Sequence, residues 1–124
     1  MSATDVLRIS EMVTHRELDA GSVLVHQGTL PFDIFVIDRG VADVELDGTA
    51  IAEIGADRVV GGAARRAWVP YGATVRARTP MVVWAVDPRS ARAFLRIAPH
   101  AARIPWADSL PNPGAESRPQ PTRR

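Results

Sequence analysis

The chain predicts a mainly β fold, an antiparallel barrel or jelly roll flanked by short helices. Three observations carry that prediction. Short β-rich runs fill the stretch from His15 to Val86, glycines punctuate them, and helical spacing occurs only before and after. Strands with one apolar face at such close spacing belong to antiparallel β architectures rather than to βαβ units.

Val6, Ile9, Met12 and Val13 recur at helical spacing and predict an amphipathic helix over about residues 4–13. The β-runs follow as Ser22–His26, Asp33–Ile37, Val41–Leu46, Ala50–Ile54, Ala73–Arg78 and Met81–Val86. Between them lie the turn signals Ala20-Gly21, Gln27-Gly28, Arg39-Gly40, Asp47-Gly48, Ile54-Gly55 and Thr79-Pro80. Asp47-Gly48 between two alternating runs is the clearest hairpin signal. Ala42, Val44 and Leu46 share one face of a strand, with Asp43 and Glu45 on the other. Ala73, Val75 and Ala77 oppose Thr74, Arg76 and Arg78 in the same way.

After Val86 the period becomes helical. Asp87 is a good N-cap, Pro88 suits the first helical position, and Ala91, Phe94, Leu95 and Ala98 form an apolar stripe. Pro99 ends that helix, and His100–Ile104 is read as one further turn. From about Ala107 the chain carries Pro111, Pro113, Pro119 and Pro121 among polar residues. The expected organisation is one domain over 1–106 and a disordered Pro/Arg-rich tail over 107–124.

A length of 124 residues is enough for one domain that buries about two thirds of its unfolded surface. The absence of cysteine excludes disulfides, thiolate zinc sites and a Cys nucleophile. No apolar run approaches the roughly 20 residues of a membrane span. Met1-Ser2-Ala3-Thr4-Asp5 has neither a basic start nor a secretory core, so a cytoplasmic location is expected. The net charge of +1 hides an asymmetry: residues 1–60 hold 11 acids and 4 arginines, residues 61–124 hold 3 acids and 11 arginines. Such a split marks either an anion-binding half or two faces that attract each other.

Catalytic chemistry finds little support. His15, His26 and His100 are scattered, without the paired spacing of a metal site. No serine stands in a G-x-S-x-G elbow and no lysine exists for a Schiff base. The carboxylates of residues 33–57 fall at turns or on polar strand faces. The expected protein is therefore not an enzyme, and no metal is expected.

The glycines and β-runs resemble the cyclic-nucleotide-binding domains of the catabolite activator protein and of kinase regulatory subunits. Arg16 to Gly28 looks like their opening strands, and Phe35 to Val44 like the next hairpin. Ile51 to Gly55 and Gly61 continue the order. Ala73 to Ala77 looks like the strand leaving the phosphate cassette, and Val86-Asp87-Pro88 like the entry to the closing helix. The resemblance covers about residues 6–104 and implies a double-stranded β-helix, the jelly-roll barrel of that family. It also implies cAMP or cGMP as the candidate ligand, with no other cofactor.

The family's cassette runs Gly-Glu-x-Ala-Leu, a variable stretch, then Arg-Ser/Thr-Ala. Its Glu takes the ribose hydroxyl, its Arg the cyclic phosphate, and backbone N–H groups complete the cradle. By resemblance the cassette positions here are Gly61, Gly62, Ala63, Ala64, Tyr71, Gly72 and Ala73. Gly61, Ala64, Pro70, Ala73 and Val75 match without a gap. Gly62 stands at the Glu position, Tyr71 at the Arg position and Gly72 at the Ser/Thr position, so all three side-chain ligands are missing.

The expected function is thus a regulatory or interaction module with a protein partner, in which the usual cAMP ligation is lost. The alternative is a cAMP or cGMP sensor with a rearranged cassette, in which Arg65 and Arg66, or Arg76, supply substitute phosphate contacts. The stripe of Arg89, Arg92, Arg96 and Arg103 is read as a solvated face rather than a nucleic-acid contact. No helix-turn-helix follows the β-region, and no sequence-specific DNA binding is expected. Trp68 and Trp106 have the chemistry to cap a purine, and packing at the core or rim is the expected use of each.

Overall fold

The structure is a computed structural model that describes residues 3–97. The expectations for Ala98, Pro99, the His100–Ile104 turn, Arg103, Trp106 and the 107–124 tail lie outside the described residues. The elements run α1 (Ala3–Ser10), β1 (Val13–Leu18), β2 (Val23–Val25), β3 (Ile34–Arg39), β4 (Ala42–Leu46), β5 (Thr49–Ile54) and β6 (Val59–Val60). They continue through α2 (Gly62–Ala67), β7 (Thr74–Ala77), β8 (Met81–Val86), a 3-10 turn at Pro88–Ser90 and α3 (Ala91–Ile97).

The strands form two four-stranded antiparallel sheets, β1-β8-β3-β6 and β2-β7-β4-β5. The fold is the mainly β roll that the alternation predicts, with one correction: the sheets are not closed into a barrel. Edge strands explain this. β2 spans three residues and β6 two, so little backbone is left at those edges to bridge one sheet to the other. The core lies between the sheets. Ala42 and Val44 of β4, Val75 and Ala77 of β7, Phe35 and Ile37 of β3, and Met81 and Val83 of β8 are buried together. A second cluster covers the outer face of the first sheet, where Ile34 and Val86 pack against Ala91, Phe94 and Leu95 of the closing helix.

Two more boundaries differ from the sequence reading. The first helix ends at Ser10, and Val13 opens β1 rather than closing the helix. Ile9, Met12 and Val13 nevertheless pack against the same outer cluster, which is why their spacing looks continuous. β1 pairs with β8 from Val13↔Val86 to Leu18↔Met81, and its four central residues are exposed. The closing helix has the expected Asp87 cap, which accepts from the Arg89 N–H at 3.0 Å, but its first turn is 3-10.

The Asp47-Gly48 hairpin forms as predicted. Leu46 pairs with Thr49, and the two turn residues have φ of 52° and 85°, the left-handed pair of a type I′ turn. Gln27 braces the tip, donating from Nε2 to Asp47 Oδ1 and accepting from the Asp47 N–H, both at 2.9 Å. The charge asymmetry is settled in part on the outer face of the second sheet. Arg76 pairs with Glu45 at 3.1 Å, and Arg78 pairs with Asp43 at 3.0 Å and with Glu53.

Candidate functional site

Gly61, α2 and Tyr71 form one packed unit around the loop residue Asp33. Gly61 takes φ 90° and ends the chain's extended course before α2. Its Cα comes so close to Asp33 that a Cβ would collide with the Asp33 carbonyl oxygen and lie 3.2 Å from Tyr71 Cε1. Only glycine meets both demands. α2 then runs for six residues, starting without a side-chain cap, with Gly62 and Ala64 buried and Ala63 half-buried.

Tyr71 is 4% exposed and belongs to the inter-sheet core. Its hydroxyl donates to the Asp33 carbonyl oxygen at 2.8 Å and accepts from the Asp33 N–H at 2.8 Å. Its own backbone N–H donates to the Thr29 carbonyl oxygen at 3.0 Å, and its carbonyl accepts from the Gly28 N–H at 2.9 Å. Burial pushes the phenol up to about 12, opposed by the hydrogen bond to the Asp33 backbone. Tyr71 is therefore a neutral phenol whose donor and acceptor are both committed. Gly72 is half-buried and Ala73 fully buried behind it.

Arg65 and Arg66 serve a different geometry. They line an open groove of about 650 Å³ between α2 and α3, together with Trp68, Arg92, Leu95 and Arg96. The Arg65 guanidinium lies 5.1 Å from the Trp68 ring centroid, and Phe32 meets the same ring edge-on at 5.6 Å. Trp68 ends α2 in the left-handed region at φ 55°, ψ 53°, and its side chain is about half exposed. Arg76 faces Glu45 on the second sheet rather than this unit. His15 packs edge-on against Trp84 at 4.7 Å. Among the described residues no three His, Asp or Glu side chains gather as metal ligands.

Sequence reasoning does not single out Asp33 and Phe32. The one signal is the apolar Leu30-Pro31-Phe32 in a turn region, where the structure leaves Leu30 and Phe32 exposed. Arg92 and Arg96, read as a solvated stripe, are exposed but converge with the arginines of α2.

A two-sheet β-roll with a short helix inserted before β7 and a helix closing on its outer face is the architecture of the cyclic nucleotide-binding roll. The family model for the cyclic nucleotide-binding domain matches residues 15–97, and the chain belongs to that family. Among solved structures, it is similar to the regulatory domain of Toxoplasma gondii PKA with cAMP, at TM-score 0.71 and 18% identity, covering 88% of this chain and 43% of that one. It is also similar to the regulatory subunit of a cAMP-independent protein kinase A from Trypanosoma brucei, at TM-score 0.69 and 20% identity, covering 76% and 35%. A third is the cAMP-binding acyltransferase from Mycobacterium smegmatis, at TM-score 0.64 and 25% identity, covering 74% and 30%. The match spans about a third of the length of the Trypanosoma and Mycobacterium chains. No helix among the described residues is long and apolar enough to cross a membrane.

Proposed function

We propose that this domain is a non-catalytic, cytoplasmic regulatory module that has exchanged cyclic-nucleotide ligation for a fixed cassette, and that it acts on a protein partner. The observation that carries the reading is the Tyr71 hydroxyl, bound on both sides to the Asp33 backbone at the position where the family places its phosphate-binding Arg. A cyclic phosphate entering there gives up water and meets a neutral, already satisfied phenol. Hydrogen bonds to charged groups are worth about 1.5–3 kcal/mol each. Losing those of the Glu and Arg positions costs about 3–6 kcal/mol, or roughly 10²–10⁴-fold in affinity.

The fold accommodates such a loss: beside the cAMP-bound Toxoplasma gondii domain it includes the regulatory subunit of a cAMP-independent protein kinase A from Trypanosoma brucei. Titration calorimetry of the whole chain with cAMP and with cGMP tests it. No saturable heat is expected at micromolar ligand. Micromolar, stoichiometric binding of either nucleotide would overturn the proposal.

A further inference from the structure

Four guanidiniums line the α2–α3 groove, from Arg65, Arg66, Arg92 and Arg96, and among the described residues no carboxylate lines it with them. Among the described residues none of the four makes an ion pair, whereas Arg76 and Arg78 each meet a carboxylate. Arg92 and Arg96 stand one helical turn apart on α3, close enough to repel each other without a counter-charge. An anion is the occupant that this arrangement fits.

Beside the arginines lies an apolar edge. Trp68 is 52% exposed, and Phe32, edge-on against it, is 51% exposed. Trp68 also holds a left-handed backbone, which costs a bulky residue roughly a tenfold shift in its own conformational equilibrium. Tryptophan and arginine are the residue types that dominate binding energy at protein interfaces. One face of the indole is already covered by Arg65, which leaves a nucleobase less ring to stack on, whereas an acidic chain with an apolar side chain uses both the arginines and the exposed Trp68–Phe32 edge. The chain's own residues 98–124 carry four arginines against two carboxylates and have the wrong sign for the groove.

We propose that the α2–α3 groove docks an acidic segment of a partner protein, with its carboxylates on Arg65, Arg66, Arg92 and Arg96 and an apolar side chain against Trp68. The proposal rests on the interaction-module reading, but its test is separate from the nucleotide titration. A groove that failed to bind would leave the calorimetric result standing.

The probe is a fluorescein-labelled peptide alternating Glu with Leu and Phe, followed by fluorescence polarisation against the full chain. A second peptide replaces Leu and Phe with Ser, and a short oligothymidylate carries the same charge. The Leu/Phe peptide is expected to bind, and to bind about tenfold more tightly than the Ser peptide at physiological salt. The oligothymidylate is expected to be weaker than the Leu/Phe peptide once salt screens the charge that all three probes share. Arg92→Glu with Arg96→Glu should weaken the peptide at least roughly tenfold. Trp68→Gly should weaken it about tenfold while Tm holds or rises, because glycine relieves the left-handed strain. A merely structural tryptophan would instead lower Tm.

Absence of peptide binding at low salt would overturn the proposal, as would equal affinity for the Ser peptide. Tighter binding of the oligothymidylate would assign the groove to nucleic acid and overturn it. Self-association of the chain that the double charge reversal abolishes would assign it to a second copy, again against the proposal.

Discussion

Tyr71 is the sole tyrosine of the chain, which makes its environment directly measurable. Its phenol is pushed up to about 12 from an ordinary value near 10. A group whose folded value is raised holds its proton more firmly in the folded state. Its contribution is therefore fully present below about pH 10 and is lost as pH rises from about 10 to 12. Two pH units correspond to about 2–3 kcal/mol at the alkaline end. Ultraviolet titration of tyrosinate should show no ionisation at about pH 10 and a midpoint near 12, together with loss of far-ultraviolet circular dichroism. Tyr71→Phe removes both hydrogen bonds to Asp33 and is expected to cost about 1–3 kcal/mol at neutral pH. It should also flatten the stability profile over the same alkaline range. A tyrosine that titrates at its ordinary value in the folded protein would show that the hydroxyl is wet and not committed to Asp33.

At the scale of elements, Gly48 and Gly61 both hold positive φ for different reasons. A methyl group added at Gly48, where φ is 85°, would meet no heavy atom within 4 Å, so only the turn conformation restrains this residue. Gly61 adds contact with Asp33 and Tyr71 to its φ of 90°. Gly48→Ala should therefore cost about 1–2 kcal/mol. Gly61→Ala adds about 1–3 kcal/mol of overpacking and should cost roughly 3 kcal/mol in all. Urea midpoints measure both, and equal losses would mean that the chain at Gly61 does not lean on Asp33. The hairpin and the core strands are legible in the sequence because their alternation or turn chemistry is local: Ala42, Val44, Val75 and Ala77 are buried as their spacing predicts. β1 is not, because Thr14, His15, Arg16 and Glu17 are polar throughout and the strand is held by backbone pairing to β8. β6 is two residues long and leaves no pattern. Around Asp33, Gly61 and Tyr71 are positions that the family resemblance names. The Tyr71–Asp33 bond joins residues 38 apart, and the groove joins α2 to α3, so neither has a local signature.

For the molecule as a whole, the acidic first half and the basic second half meet on the outer face of the second sheet. There the strand register sets Asp43 of β4 directly opposite Glu53 of β5, a like-charge pair that destabilises a sheet on its own. Arg78, the residue after β7, reaches both carboxylates and converts that repulsion into a bridge between β4 and β5. The bridge is exposed to solvent, with the Arg78 side chain at 51%, so its Coulomb energy is screened and each pair is worth at most about 1 kcal/mol. Arg78→Ala should cost about 1 kcal/mol at low salt, through the lost pairs and the uncovered repulsion together. The penalty should shrink as the screening length falls from about 10 Å at roughly 0.1 M salt to about 3 Å at roughly 1 M. Glu53→Gln placed on top of Arg78→Ala removes the repulsion and should restore part of the loss, so the two changes are not additive. Urea unfolding of the four proteins in the cycle at both salt concentrations measures this. A penalty for Arg78→Ala that is unchanged at high salt, with no recovery from Glu53→Gln, would mean that Arg78 acts through the packing of its aliphatic stem. The two charged halves would then not be held together there by electrostatics.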